Sequence, residues 1–171
     1  LSGDQVTLIE ALAATATPVV VVLNNGGVVH LPWADRVNAL LECWLGGEAG
    51  GGAVVDVLFG DAEPGGRLAE SIPFHIGQVA ADRNFPGHPR QVQYREGLYV
   101  GYRFHDSAGV PARFPFGFGL SYTTFDWTDI GVIGEGLTGD GTDLTVHVTV
   151  TNTGTRAGAA GVQVHRRHVE S

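Results

Sequence analysis

Lysine and methionine are both missing from this chain of 171 residues, and cysteine occurs only once. All ten cationic side chains are therefore arginines, and 18 acidic residues against them leave a formal net charge of −8. A protein that binds nucleic acid normally carries a basic stripe that neutralises phosphates. The only adjacent basic pair is Arg166-Arg167, beside the end of the chain. We therefore expect no nucleic-acid partner.

The single cysteine, Cys43, excludes a disulfide within the chain and a metal site built from several thiolates. No apolar run approaches the roughly 20 residues that a membrane-spanning helix needs, so we expect no membrane partner. A chain without methionine has no initiator of its own, which favours a fragment or a processed product. The sequence therefore indicates no compartment, and secretion, the periplasm and the cytoplasm all stay open.

Signals for helices and strands alternate in the first part of the chain. Ser2 followed three residues later by Gln5 is the pattern of a capping box, and it predicts a helix that Pro18 closes. The apolar face of this helix would comprise Leu8, Ile9, Leu12, Ala13 and Ala16. The β-branched run at 19–23 predicts a strand buried in a parallel sheet, and residues 53–59 predict a second, short helix. This order is typical of α/β folds.

The last quarter of the chain has the pattern of an all-β domain. Apolar and polar residues alternate from 143 to 151, which predicts a half-buried antiparallel strand. Residues 162–164 predict the start of another strand, and residues 131–141 read as a linker or loop. One or two strands do not make a stable sheet alone. We therefore expect a boundary near residue 126, with only the beginning of a β domain after it.

Short catalytic and binding motifs are weak in this sequence. Residues 134–139 match the dinucleotide pattern G-x-G-x-x-G, but a predicted strand follows where a helix is needed, so a linker is the better interpretation. The glycine-rich stretch 46–52 lacks the ending of a P-loop and reads as a turn between a strand and a helix. No serine stands in the G-x-S-x-G frame, and the seven histidines have no metal-ligand spacing. We expect neither a metal nor a cofactor.

Glu96 stands out among the carboxylates because aromatic and cationic residues surround it: Tyr94, Arg95, Tyr99, Tyr102 and Arg103. A functional Glu96 would face a sugar or lie in an interface, whereas the structural interpretation is an ion pair. Arg103 is the second candidate for contact with substrate, and pairing with a carboxylate is the stronger expectation for it. Glycoside hydrolysis needs two carboxylates at a defined separation in space, which the sequence does not reveal.

Several motifs, in order along the chain, carry a family resemblance: Leu1-Ser-Gly-Asp-Gln5, Pro32-Trp33, Asp56-Val-Leu-Phe-Gly60, Pro64-Gly-Gly-Arg-Leu68, Tyr94-Arg-Glu-Gly-Leu-Tyr-Val-Gly-Tyr-Arg103 and Phe114-Pro-Phe-Gly-Phe-Gly-Leu-Ser-Tyr-Thr-Thr-Phe125. Together they resemble the C-terminal region of glycoside hydrolase family 3, the β-glucosidase and β-xylosidase family. The stretch Val148-Thr-Val-Thr-Asn-Thr-Gly154 resembles the start of the fibronectin-III-like domain that follows in many members. The resemblance covers nearly all of residues 1–165.

The resemblance implies an architecture. Residues 1–125 would form the latter part of an α/β sandwich, a mostly parallel sheet with flanking helices. Residues 126–171 would form the first strands of a truncated, fibronectin-III-like β-sandwich. The aromatic residues of the long motif would be core residues: Phe114, Phe116, Phe118, Tyr122 and Phe125.

The resemblance also implies a reaction. Family members are retaining glycosidases whose Asp nucleophile lies in a catalytic barrel, and their Glu acid/base precedes the segment matched by Leu1 to Gln5. This chain contains neither, so no catalytic residue is predicted in it. We expect a scaffold fragment of a β-glucosidase-like enzyme that cleaves O-glycosyl bonds in β-glucosides or related oligosaccharides. Its carbohydrate substrate would bind through the missing barrel.

Two other interpretations stay open. A non-catalytic module that binds carbohydrate or another partner would use exposed aromatic side chains such as Trp33 or Trp127. The strand predicted at 162–164 breaks off soon after its start. This argues against such a module, because a genuine module would complete its sheet. A remnant of a decayed gene is the third interpretation.

Overall fold

The computed structural model describes residues 1–87, 90–133 and 145–165, which fall into two compact units. Unit 1 comprises Leu1–Phe59 and Arg67–Phe118, and unit 2 comprises Gly60–Gly66 and Gly119–Ser171. Helices and two small two-stranded sheets make up their regular structure. No helix in the described ranges is long and apolar enough to cross a membrane. The glycine motif at 134–139 lies outside the described residues.

Helix α1 covers Gly3–Ala13 and begins with the predicted capping box. Ser2 Oγ accepts a hydrogen bond from the Gln5 amide at 3.4 Å, and Gln5 Oε1 accepts one from the Ser2 amide at 3.0 Å. The helix ends well before Pro18. The hydroxyl and the amide of Thr15 both donate to the Leu12 carbonyl, at 2.7 and 3.0 Å, and so replace the next turn of the helical ladder.

The predicted apolar face of α1 is confirmed at Ile9 and wrong at Leu8, Leu12 and Ala16. Val6 and Ile9 pack against the core of unit 1, whereas Leu8 and Leu12 are exposed. In a helix, residues three apart share a face, so Val6 and Ile9 form one stripe.

Strands β1 (Val20–Leu23) and β2 (Ala39–Glu42) pair in parallel, as the sequence predicts for β1. Asn38 extends this pairing at one end, because its side-chain oxygen accepts from the Val19 amide at 2.7 Å and its amide donates to the Val19 carbonyl at 2.9 Å. The expectation of a fully buried strand holds only at Leu23.

A small apolar core holds unit 1 together. Four apolar side chains are buried in it: Leu23, Leu31, Trp33 and Ile72. Leu68 and Phe114 pack against them, and the segment 68–72 pairs antiparallel with 114–118. This pairing uses mutual Ile72–Phe114 backbone bonds of 2.8 and 3.1 Å, and it fixes the long aromatic motif against the core.

The remaining elements of unit 1 are two helices and two single 3-10 turns. Helix α2 spans Gly50–Phe59, three residues longer than predicted at its start, and helix α3 spans Tyr102–Ala108. Gly60 ends α2 with a φ of 82°, a conformation that glycine adopts readily and other residues rarely do. The 3-10 turns cover Ala34–Arg36 and Ile76–Gln78.

Unit 2 contains two strands, β3 (Phe125–Ile133) and β4 (Thr145–Asn152), which pair in antiparallel orientation. Burial alternates along β4, which confirms the strand predicted at 143–151 in its described part. The expectation of a linker from 131 onward is wrong for Gly131–Ile133, which pair with Thr145–His147. Gly131 makes room for the His147 ring, since an added Cβ would lie 2.3 Å from it.

The strand predicted at 162–164 does not form. Val162 and Val164 are exposed and have no regular secondary structure. An isolated strand leaves its backbone groups unpaired, so apolar alternation alone does not produce one.

The aromatic motif is only partly a core motif. Phe114 packs on the core and on the Phe118 ring, with 5.2 Å between centroids, and Phe116 lies 4.9 Å from the Tyr102 ring. Phe118 and Tyr122 are exposed, which corrects the prediction for these two residues. The Tyr122 ring instead lies 5.4 Å from the Arg156 guanidinium, within unit 2.

Candidate functional site

Glu96 and Arg103 lie on one stretch of unit 1 that leads into helix α3. Glu96 is half-buried, and its Oε2 atom is enclosed without a hydrogen-bond partner among the described residues. Arg103 lies on α3 and is exposed. The structure therefore places both near the same loop but forms no ion pair between them. Their contact with substrate stays a prediction.

Between described residues, the ion pairs expected for Glu96 and Arg103 are not found. The ion pairs among the described residues join Arg36 to Glu10 and Arg113 to Asp35, and neither includes Glu96 or Arg103. The exposed Arg103 guanidinium keeps its hydration. An ion pair at the surface would require it to lose part of that hydration and would stabilise the protein by at most about 1 kcal/mol. Glu96 lies in the turn after Tyr94, whereas Arg103 lies in the first turn of α3.

Arg113 is a charged residue that the sequence analysis missed. Its side chain is only 11% exposed, its Nη1 lies 2.7 Å from Asp35 Oδ1, and its guanidinium carbon lies 4.8 Å from the centre of the Phe74 ring. The stem of an arginine can cover apolar surface while its head finds a carboxylate and an aromatic face. The signal in the sequence was the arginine directly before Phe114. This arrangement fits a structural role in which Arg113 links Asp35 and Phe74.

Two of the histidine rings contact backbone carbonyl oxygens. His30 Nε2 is 2.9 Å from the Phe74 carbonyl, and His105 Nδ1 is 2.9 Å from the Val110 carbonyl. In the described ranges, no three His, Cys, Asp or Glu residues come together in a way that could hold a metal ion. His88 and His168 lie outside those ranges.

Cys43 follows strand β2 and is half-buried. Burial raises the pKa of the Cys43 thiol, and the adjacent Glu42 carboxylate raises it further. Because the thiolate is the nucleophile, this environment opposes a catalytic role.

A raised pKa makes a prediction for alkylation. At pH 8 we expect iodoacetamide to modify Cys43 more slowly in the folded protein than in urea, measured by peptide mass spectrometry. The difference between these two alkylation rates should become smaller as the pH rises through the folded-state pKa of Cys43. The same shift leaves stability unchanged below the unfolded-state pKa and lowers it above that value, because the folded thiol holds its proton more tightly. Equal rates in buffer and urea at pH 8 would contradict this.

Trp33 cannot serve as a surface aromatic, which corrects the binding-module interpretation. Its side chain is 0% exposed at the centre of the unit 1 core, whereas Trp127 on β3 is 44% exposed. Of the two aromatics proposed for carbohydrate binding, only Trp127 is accessible in this chain.

Comparison with known proteins identifies the family. The glycosyl hydrolase family 3 C-terminal domain matches residues 1–122. The thermostable β-glucosidase B of Acetivibrio thermocellus is 46% identical over 168 residues, which are 98% of this chain and 22% of that protein. An exo-α-(1→6)-L-arabinopyranosidase of Bifidobacterium breve is 46% identical over 166 residues, which are 96% of this chain and 21% of that protein.

Solved structures agree with this match. The β-glucosidase DesR of Streptomyces venezuelae, determined with D-glucose, superposes with a TM-score of 0.82 at 40% identity. The match covers 92% of this chain and 20% of DesR. The chain thus spans about a fifth of the length of the relatives and structures it matches. It belongs to the glycosyl hydrolase family 3 C-terminal domain family.

Proposed function

We propose that this chain is the non-catalytic scaffold part of a retaining, β-glucosidase-like glycosidase. One observation carries the proposal: almost the whole chain aligns with proteins named β-glucosidases, over about a fifth of their length. The substrate class is β-glucosides or related oligosaccharides. An arabinopyranosidase is as similar as the first β-glucosidase, so residues outside this chain select the sugar.

We propose the finer architecture on the same basis. Residues 1–125 are the latter part of an α/β sandwich, and residues 126–171 begin a fibronectin-III-like β-sandwich. The parallel pairing of β1 with β2 supports the first assignment, since parallel strands belong to α/β folds. The antiparallel pairing of β3, which starts at Phe125, with β4 supports the second.

The test compares the complete gene product with the 171-residue chain on p-nitrophenyl β-D-glucoside. We expect the complete protein to hydrolyse it with retention of anomeric configuration, read by NMR of the first-formed sugar. We expect the chain alone to show no turnover above a mock purification, because it supplies neither nucleophile nor acid/base. Turnover by the chain, or an inactive complete protein, would contradict the proposal.

Arg103 provides a smaller test of the candidate site. Arg103→Ala in the complete protein should change the unfolding free energy by no more than about 0.5 kcal/mol, because the side chain is exposed and unpaired in the described chain. If Arg103 contacts substrate, KM rises while the melting temperature stays constant. A large loss of stability with unchanged KM would instead assign Arg103 a structural partner outside this chain.

A further inference from the structure

The dipeptide Asn25-Gly26 lies in the loop that follows strand β1. The chain has five asparagines, and Asn25 alone among them is followed by glycine. Glycine has no side chain, so its backbone nitrogen can approach a neighbouring group that a larger residue would obstruct. Asparagine before glycine is therefore the arrangement in which a side-chain amide reacts most readily with the next backbone nitrogen.

The Asn25 side chain is folded over the glycine that follows it. Its Nδ2 atom donates a hydrogen bond to the Gly27 carbonyl oxygen at 2.7 Å, two residues further along the chain. A side chain that reaches this oxygen lies over the intervening peptide, so the Asn25 Cγ atom is held on the side of the Gly26 nitrogen. Nδ2 also donates to Glu42 Oε2 at 3.4 Å, at the end of the neighbouring strand β2.

The Gly26 nitrogen is available to react. No described residue accepts a hydrogen bond from its amide, and the glycine is exposed to solvent. A Cβ atom added there would have one neighbour within 4 Å, Leu45 Cδ1 at 3.9 Å. The Asn25 Oδ1 atom is enclosed, and no described residue donates to it. Because an enclosed amide oxygen without a donor is costly, the loop stabilises the intact amide only in part.

We propose that Asn25 is a site of spontaneous covalent modification in the folded protein. The Gly26 nitrogen bonds to Asn25 Cγ and gives up its proton, while the Cγ–Nδ2 bond breaks and Nδ2 leaves as ammonia with that proton. The product is a cyclic imide. Water then adds to either imide carbonyl and opens the ring, which leaves an aspartate or an isoaspartate at position 25. The inference does not depend on the proposed glycosidase activity.

The new carboxylate would lie beside an existing one. Glu42 Oε2 faces the nitrogen that the reaction removes, and Glu42 Oε1 accepts a hydrogen bond from the Trp44 amide at 2.9 Å. Two neighbouring carboxylates repel each other. Trp44 has a φ of 47°, a conformation that residues other than glycine rarely adopt. Displacement of Glu42 therefore removes a hydrogen bond that stabilises the strained backbone at Trp44.

Incubation of the complete gene product at pH 8, followed by peptide mass spectrometry, tests the modification. We expect replacement of the amide by an acid to be roughly tenfold faster at Asn25 than at Asn38, which is also exposed but is followed by alanine. Gly26→Ala should lower the rate at Asn25 to that at Asn38. Equal rates at Asn25 and Asn38 in the unsubstituted protein would overturn the proposal.

The same incubation in urea tests the part assigned to the fold. We expect Asn25 to react at least as fast in the folded protein as in urea, because the fold holds its Cγ atom near the Gly26 nitrogen. A reaction that required local unfolding would instead be slowed by the opening equilibrium. A folded rate below the rate in urea would show that the fold hinders the reaction, which would contradict the geometry described above.

A matched pair of variants tests the consequence for Trp44. Asn25→Asp places the carboxylate of the product beside Glu42, and Asn24→Asp places the same charge at the exposed neighbouring residue. We expect amide hydrogen exchange at Trp44 to be roughly fivefold faster in Asn25→Asp, as the loss of one hydrogen bond predicts. Asn24→Asp should leave this exchange unchanged. Equal exchange in the two variants would mean that the new carboxylate does not displace Glu42, and this consequence would be wrong.

Discussion

Replacing Trp33 with alanine is expected to lower the unfolding free energy of unit 1 by about 3–5 kcal/mol, the cost typical of deleting a buried aromatic side chain. Trp33 is fully buried among Leu23, Leu31 and Ile72, and these four side chains are the buried apolar core of the described residues. A core this small has few neighbours that can close the resulting cavity. The measurement is native-state hydrogen exchange of the β1 and β2 amides in the complete protein.

Trp127→Ala is the control for Trp33→Ala. The same atoms are removed, but Trp127 is 44% exposed and lies on β3 in unit 2. Its effect on exchange in β1 and β2 should be negligible. If Trp33→Ala and Trp127→Ala changed that exchange equally, the assignment of Trp33 to the core of unit 1 would be wrong.

Gly154→Ala should destabilise unit 2 by about 1–3 kcal/mol, the usual cost of inserting a methyl group into a packed site. A Cβ at Gly154 would lie 2.2 Å from Thr123 Oγ1 and 2.9 Å from the Thr124 amide nitrogen. Because the second contact is with backbone, a rotamer change cannot relieve it.

The displaced backbone near Gly154 also carries hydrogen bonds that the substitution would strain. Thr123 Oγ1 donates to Asn152 Oδ1 at 2.8 Å, and the Thr153 amide donates to the Thr124 carbonyl at 2.9 Å. Gly161→Ala in the same unit is the control, since nothing lies within 4 Å of a Cβ there. Hydrogen exchange of the β3 and β4 amides reports both variants. An equal response to the two would refute the packing argument.

Local patterns in the sequence predict local structure well in this chain. The capping box at Ser2 and Gln5 depends on atoms three residues apart, and the alternation at 143–151 reports one buried face of a strand. The capping box forms as predicted, and β4 confirms the strand in the described part, Thr145–Asn152. The parallel partner of β1 is a longer-range consequence of the same apolar run.

The predictions that failed needed information about distant neighbours. The apolar residues at 162–164 do not form a strand, because pairing requires a second strand that the pattern itself does not supply. Leu8, Ile9 and Leu12 all satisfy the helical period, but of these three only Ile9 packs against the core. Trp33 could be surface or core by sequence, and only its burial among other side chains decides.

The candidate site shows the same limit. The sequence singled out Glu96 by its neighbours, yet no described residue donates a hydrogen bond to its enclosed Oε2 atom. It missed Arg113, whose ion pair joins residues 78 positions apart at Asp35.

The intact mass of the gene product isolated from its natural source tests the central claim most directly, because that claim makes this chain one part of a larger glycosidase. With the chain at 18.0 kDa and its relatives about five times as long, the account predicts a mass several times 18.0 kDa. A natural product of about 18.0 kDa would contradict it, since no polypeptide would then remain to supply the catalytic carboxylates.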